Sequence, residues 1–447
     1  MQLRKLIVGL AAAGLLAPGL ASATDGYFQQ GYGLKAKGRA GAGTAMATDA
    51  FGGANNPASM VFVGNRIDFG ADLFSPRRES ARTGSSPLLG PIDGRADSDS
   101  NYFLIPEFAY NRMINPNLSL GVTVYANGGM NTDYPGGQIP VASACAGFMT
   151  PLPNPGPYNL LCGTGSLGVD LMQLIIAPTV AYKVTPNHAF GISPLIGYQR
   201  FALEGLQGFA GFSTSPTNFT NRGHDSAYGF GVRIGWFGQL SDTVSAGAAY
   251  STKVYMKEFD DYRGLFAEQG DFDMPANYNV GVALKATPKL TVIADYQRIN
   301  YSDVPSVGNP SAGLLQCAGG NLAFCLGGSA GAGFGWHDVN VFKLGFEYQY
   351  NAALTLRAGY NHTDNPIRAQ DVTINILAPG VVQDHVALGF TYKTKTGGEL
   401  TLSYMHAFNH GMTAPSFFSN FTGGLPAGTE NIKMYQNAIG IAYGWKM

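Results

Sequence analysis

The chain has 447 residues, with a formal charge of −1, so nothing in its charge draws it to nucleic acid or to acidic substrates. Charged residues make up only 13%, about half the ~25% of soluble domains, while apolar residues reach 45% and glycine numbers 61. That balance excludes a disordered chain and argues against an ordinary cytosolic enzyme. At the N-terminus, Arg4 and Lys5 precede an apolar run from Leu6 to Leu20, and Ala21-Ser22-Ala23 is a small-residue cleavage site. Residues 1–23 are therefore expected to be a secretory signal peptide. No later apolar run is long enough for a membrane helix.

The segment 24–64 shows no sustained alternation and is too long for a simple tail. From residue 65 onward the apolar period becomes two. Leu118, Leu120, Val122 and Val124 alternate with Ser119, Gly121, Thr123 and Tyr125, and the pattern fails at Ala126-Asn127-Gly128-Gly129-Met130. Farther on, Phe230, Val232, Ile234 and Trp236 alternate with Gly229, Gly231, Arg233 and Gly235. Phe342, Leu344, Phe346 and Tyr348 do so with Val341, Lys343, Gly345 and Glu347, and Leu356 flanks Arg357 in the same way. Strands place such sets on opposite faces. Apolar faces edged with aromatics, in an exported chain, point to a barrel whose outer face meets lipid and whose inner face lines a lumen.

Connections alternate between short and long. Six short turns, at 114–117, 185–188, 240–242, 287–289, 351–352 and 394–398, carry Asn, Pro, Asp, Ala or Gly. Seven long loops are expected near 80–101, 131–168, 207–223, 260–271, 303–336, 363–381 and 411–431. Thirteen connections give fourteen strands, the first beginning near Arg66 and the last reaching Met447, with both ends in the periplasm. The fold class is thus all-β, a 14-stranded antiparallel transmembrane barrel over 65–447. Residues 24–64 could fold into the lumen as a hatch, since a barrel this wide would otherwise hold a water-filled channel.

The four cysteines lie only in long loops. Local pairing, Cys145 with Cys162 and Cys317 with Cys325, is the economical arrangement among three, and the secreted context favours disulfides over a metal. Gly163 to Gly168 matches GxGxxG and Gly327 to Gly331 matches GxSxG, but neither lies in the strand–helix context such motifs need. His406 and His410 would stand about 13 Å apart on a strand. No catalytic residue, cofactor or metal is expected.

Several stretches carry a resemblance. Gly33-Leu34 through Gly38-Arg39-Ala40, Gly43, Ala45, Asp49-Ala50 and Asn56-Pro57-Ala58 resemble the N-terminal hatch of the FadL/TodX family, outer-membrane channels for long-chain fatty acids and aromatic hydrocarbons. Pro106-Glu107, Met274-Pro275, Asp364-Asn365-Pro366 and Ser403-Tyr404-Met405-His406 are similar to the same family in the same order. The resemblance implies passive uptake of a hydrophobic ligand across the Gram-negative outer membrane, gated by the hatch, with a lateral exit at a kink in the third strand. Asn127, Gly128 and Gly129 are the expected kink, and Asn56, Pro57 and Ala58 the expected gate and cover over it. Arg200, Arg233, Lys343 and Arg357 are the expected lumenal cations, with Arg200 resembling a family position near a bound head group. Internal pairing of these cations with Asp68, Asp72, Glu107, Asp295 or Glu347 is the competing expectation. The expected cargo is a long-chain fatty acid, with a monoaromatic hydrocarbon such as toluene as the alternative. An outer-membrane hydrolase and a structural barrel are the other classes. Expected partners are outer-membrane lipid, lipopolysaccharide and the barrel-assembly machinery, with no nucleic acid, and the chain is expected to act as a monomer.

Overall fold

In the computed structural model, residues 24–147 and 150–447 are described. The signal-peptide reading of 1–23 falls outside them. Fourteen strands form the wall. They are β1 (Arg66–Ser85), β2 (Phe103–Asn115), β3 (Leu118–Tyr134), β4 (Leu167–Thr185), β5 (His188–Glu204), β6 (Asp225–Gln239) and β7 (Val244–Ser251), followed by β8 (Asn277–Lys285), β9 (Leu290–Ile299), β10 (Val339–Gln349), β11 (Leu354–Thr363), β12 (Asp384–Lys393), β13 (Gly398–Pro415) and β14 (Ala427–Lys446). Each pairs antiparallel with its chain neighbours, and β14 pairs with β1 from Arg66↔Lys446 to Ser85↔Ala427, closing the barrel. Two short strands, Gly94–Asp97 and Tyr255–Met256, extend the sheet beside β1 and β6.

The outer face carries exposed apolar side chains, among them Phe230, Leu344 and Ile441, as expected for a surface that meets acyl chains. All six short turns stand where Asn, Pro, Asp and Gly placed them. Strands β1, β3, β13 and β14 run farther outward than the apolar alternation suggested. Arg77 to Ser85 of β1 stay paired with β14 although that stretch is polar. Disulfides join Cys145 to Cys162 and Cys317 to Cys325.

The pairing of β3 with β4 slips by one residue between Ala126 and Gly128, leaving Asn127 as the extra residue of a bulge. Inward residues are odd-numbered before it (Ser119, Thr123, Tyr125) and even-numbered after it (Met130, Thr132). This change of phase is why the sequence alternation breaks there.

Residues 24–64 fold against inward-facing wall residues on several sides, with two short helices (Leu34–Lys37 and Gly52–Asn55) and a 3-10 turn (Pro57–Phe62). Nearly all are buried; Met46 to Asp49 are the main part-exposed stretch.

Candidate functional site: the inner segment, the bulged strand and the wall cations

Three alternating cations, Lys35, Lys37 and Arg39, tie the inner segment to the wall. Lys35 pairs with Glu399 of β13 at 2.6 Å. Lys37 reaches Asp72 of β1 and Glu107 of β2, the latter at 2.9 Å. Arg39 pairs with Glu347 of β10 at 2.6 Å. In return Asp295 of β9 accepts the amides of Gly43 and Thr44, each at 2.8 Å. Charges this deep persist only when partnered, so each bond fixes the segment to a particular strand.

The first nine residues, 24–32, are held differently. Asp25-Gly26-Tyr27-Phe28 makes a tight turn, with the Thr24 and Asp25 amides donating to the Phe28 carbonyl at 2.9 and 3.0 Å. Its outer side pairs with the bulge. The Gly129 amide donates to the Tyr27 carbonyl at 3.0 Å, and the Gln29 amide to the Asn127 carbonyl at 3.3 Å. Gln29 Nε2 donates to the Ala126 carbonyl at 2.8 Å. Backbone groups that the bulge leaves free in the wall are thereby satisfied, as a low-dielectric setting demands.

The expected cover over the bulge, Asn56-Pro57-Ala58, lies elsewhere. Asn56 Nδ2 donates to the carbonyls of Thr44 and of Trp236 in β6, at 2.9 and 2.8 Å, and its Oδ1 accepts the Ala58 amide at 3.2 Å. Ala58 packs with Ala181, Ala189 and Phe237 of β4–β6 near their short turns. The Asn does use donor and acceptor together, but its donor reaches β6 and its acceptor caps its own turn; residues 27–29 cover the bulge instead.

The four expected cations separate. Arg200 points outward: Ser193, Leu195, Gly197 and Gln199 face the lumen without interruption, so Pro194 hosts no bulge and Arg200 falls on the opposite face. There it meets Asp170 at 3.5 Å, which also bonds His224 at 2.8 Å. Arg233, Lys343 and Arg357 are inward and buried. Arg357 is committed to Glu347 at 2.8 Å and Thr391 at 2.7 Å. Lys343 bonds the Gln30 carbonyl at 2.6 Å and Gln297 at 2.8 Å, with Asp25 at 3.7 Å. Arg233 Nε bonds Ser251 at 2.6 Å.

A fifth cation, not singled out from the sequence, stands beside the bulge. Arg78 of β1 is buried, and its Nη2 donates to Ser98 Oγ at 3.1 Å and to the Ser100 carbonyl. Its Nε has no partner, and no carboxylate lies within 4.0 Å among the described residues. Counting by twos from Asp68 and Asp72 would have found it. Arg78 lines a cavity with Tyr27, Phe74, Met130, Trp336 and Met434. The cavity volume, about 30 Å³, is one water's worth and far below what an aromatic ring needs. A hydrophobic ligand can enter only if part of this lining moves, and Gly26 and Tyr27 belong to it.

Outside the wall, the loop joining β7 to β8 holds a close carboxyl pair, Asp271 and Asp273. Burial and the Asp273 charge push the Asp271 carboxyl up to about 7, against the pull of Lys253. Between them Phe272 packs on Tyr27, ring centroids 6.3 Å apart.

Residues 159–431 match the family described as outer membrane protein transport protein (OMPP1/FadL/TodX). Among solved structures, the P. putida toluene transporter TodX superposes with a TM-score of 0.64 at 19% identity, covering 94% of this chain and 99% of that one. The Ralstonia pickettii toluene transporter TbuX gives 0.60 at 18%, covering 94% and 99%. A Pseudomonas aeruginosa FadL homologue gives 0.65 at 14%, again covering 94% and 99%. At these identities the likeness is one of fold. No curated protein matches the sequence.

Proposed function

The chain belongs to the outer membrane protein transport family (OMPP1/FadL/TodX), channels of the outer membrane for hydrophobic molecules, and on that footing we propose that its cargo is a long-chain fatty acid. Arg78 carries this reading. It is a buried cation at an otherwise apolar cavity, with a free Nε–H and no carboxylate of its own. An incoming carboxylate would supply the missing acceptor through a charge-assisted bond worth roughly 1.5–3 kcal/mol. The acyl chain would follow the apolar lining. Residues 24–64 act as the hatch, and residues 24–32 as the part that moves. Release runs sideways past the bulge of β3, by diffusion and without an energy source.

A monoaromatic cargo is the second reading. It is favoured by the aromatic lining from Tyr27, Phe74 and Trp336, and by likeness to two structures described as toluene transporters. Uptake of oleate and of toluene into cells lacking other such channels separates the two. Arg78→Gln is expected to cut oleate uptake at low concentration by roughly ten-fold or more, the worth of one charge-assisted bond, and to leave toluene uptake unchanged. Unchanged oleate uptake in that variant would overturn the fatty-acid reading.

A further inference from the structure

The hatch has two mechanically distinct parts. From Gly33 onward it is pinned by Lys35, Lys37, Arg39 and the Asp295 contacts. Ahead of Gly33, the tip has no ion pair closer than the 3.7 Å approach of Asp25 to Lys343. Gly33 itself, at the boundary between the two parts, sits at φ +81°, where a side chain would be strained.

Away from the bulge, Lys343 holds the Gln30 carbonyl at 2.6 Å and Asn361 the Asp25 carboxylate at 3.4 Å, while the turn 25–28 is gripped by one further side chain, Tyr301. Tyr301 lies in the long loop between β9 and β10, two residues past the end of β9. Its hydroxyl oxygen accepts from the amides of Tyr27 and Phe28 at 3.1 and 3.3 Å, and its proton goes to the Asp25 carbonyl at 2.5 Å. One donor and two acceptor sites are a hydroxyl's whole capacity, and all three are spent on the tip turn. Gly26, at φ +68°, leaves the space: a Cβ there would stand 2.6 Å from the hydroxyl oxygen. The ring is fully buried and packs on Tyr27 at 5.0 Å and on Trp336 at 5.2 Å. Trp336 is itself fixed, its Nε1 donating to Asn375 Oδ1 of the next outer loop at 2.6 Å.

We infer that Tyr301 is the latch of the hatch tip, a positioning residue through which the outer loops hold the tip closed over the bulge of β3. A ligand that wedges between Tyr27, Tyr301 and Trp336 breaks three hydrogen bonds at one atom. The tip then swings on Gly33 while the pinned part stays in place. Binding from outside is thus coupled to the opening of the side exit. The inference rests on the channel reading above, and its first test needs no cargo.

A cysteine at Met130, which lines the cavity under the tip, reports opening through its rate of labelling by a water-soluble maleimide; the native cysteines are all in disulfides. In the M130C background, Tyr301→Phe keeps the ring and removes only the hydroxyl. Labelling is expected to rise about ten-fold, the equivalent of one to two net hydrogen bonds. Gly26→Ala should expel the hydroxyl sterically and give a similar rise. The double variant should add little to either single one, because both act on one contact. With the latch gone, half-saturating oleate should fall while maximal uptake holds; a merely structural loss would lower maximal uptake and barrel melting temperature together. Wild-type labelling rates in an assembled Tyr301→Phe barrel would overturn the latch. If the labelling rises but no oleate permeates even the wild type, the latch stands and the cargo reading falls.

Discussion

The amide of Gly129 donates to the carbonyl of Tyr27 across 3.0 Å, so the hatch tip and the bulged strand share a hydrogen bond that a regular ladder would have made within the wall. The tip is in effect a short extra strand laid on the bulge. Its neighbour Gly128 faces the same carbonyl so closely that a Cβ would overlap it. Gly128→Val is therefore expected to push the tip off the wall into the lumen rather than to straighten β3 and seal the exit. The variant should assemble, and thiol labelling at position 130 should rise above wild type. A rate below wild type would show that strand geometry, and not the tip, controls access.

A different cost attaches to the pinned half. Lys37 is the shared ion-pair partner of two buried carboxylates, Asp72 and Glu107. Lys37→Ala leaves both uncompensated, and breaking a buried pair in this way costs roughly 3–5 kcal/mol. Hatch residues should become protease-sensitive while the barrel stays heat-modifiable. Adding Glu107→Gln should recover part of the protection, since one of the two stranded charges is then gone.

The wall was legible because lipid and lumen impose period two on every strand. Phe342 and Leu344 against Lys343 is enough to orient β10. The short turns were legible because Asn, Pro and Gly supply dihedrals that few residues can. The outer ends were not. Arg77 to Ser85 pair with β14 beyond the apolar belt, where backbone bonding continues but neither face needs to be apolar. Arg200 was misplaced because it was taken from the resemblance and not from its phase, which runs unbroken through Pro194 and turns it outward. The bulge is at Asn127, and it resets the phase of β3 alone. Lys35, Lys37 and Arg39 were visible as alternating cations in a glycine-rich stretch, but their carboxylates lie up to 364 residues away. The grip of Tyr301 on Tyr27 spans 274 residues and has no periodic signal at all.

The loop between β7 and β8 should respond to pH. The folded Asp271 carboxyl titrates at about 7, against 3.8 unperturbed. A raised carboxyl favours the folded loop while it is protonated. Its contribution is complete below about pH 4 and is lost as pH rises through about 7. Asp273, Lys253 and Glu268 are the other charges facing it. Hydrogen exchange across 252–276 is expected to quicken between pH 5 and pH 7.5 beyond the intrinsic base dependence, and Asp271→Asn should abolish that excess. A loop equally protected across the range, after that correction, would contradict the buried pair.

Removing the hatch altogether should change the ion preference as well as the conductance. Deleting residues 24–58 takes away Lys35, Lys37 and Arg39 and leaves Asp72, Glu107, Asp295, Glu347 and Glu399 facing the lumen, with Arg66, Arg233, Lys343 and Arg357 as the nearby cations. Arg66 stays paired with both Asp68 and Glu399 at 2.7 Å, and Arg357 with Glu347 at 2.8 Å; with Asp72, Glu107 and Asp295 counted, six wall carboxylates then face five cations, Arg78 included. Water would enter and solvate them, which lifts the desolvation cost that the hatch cations offset in the intact protein. A fourteen-strand wall without its filling leaves an aqueous channel. Single-channel recordings of the deletion variant should therefore show a large, steady conductance. Its reversal potential in a salt gradient should indicate preference for cations, and the preference should weaken at high ionic strength as the wall charges are screened. An assembled variant that stays electrically silent would show that residues 24–58 do not block the lumen.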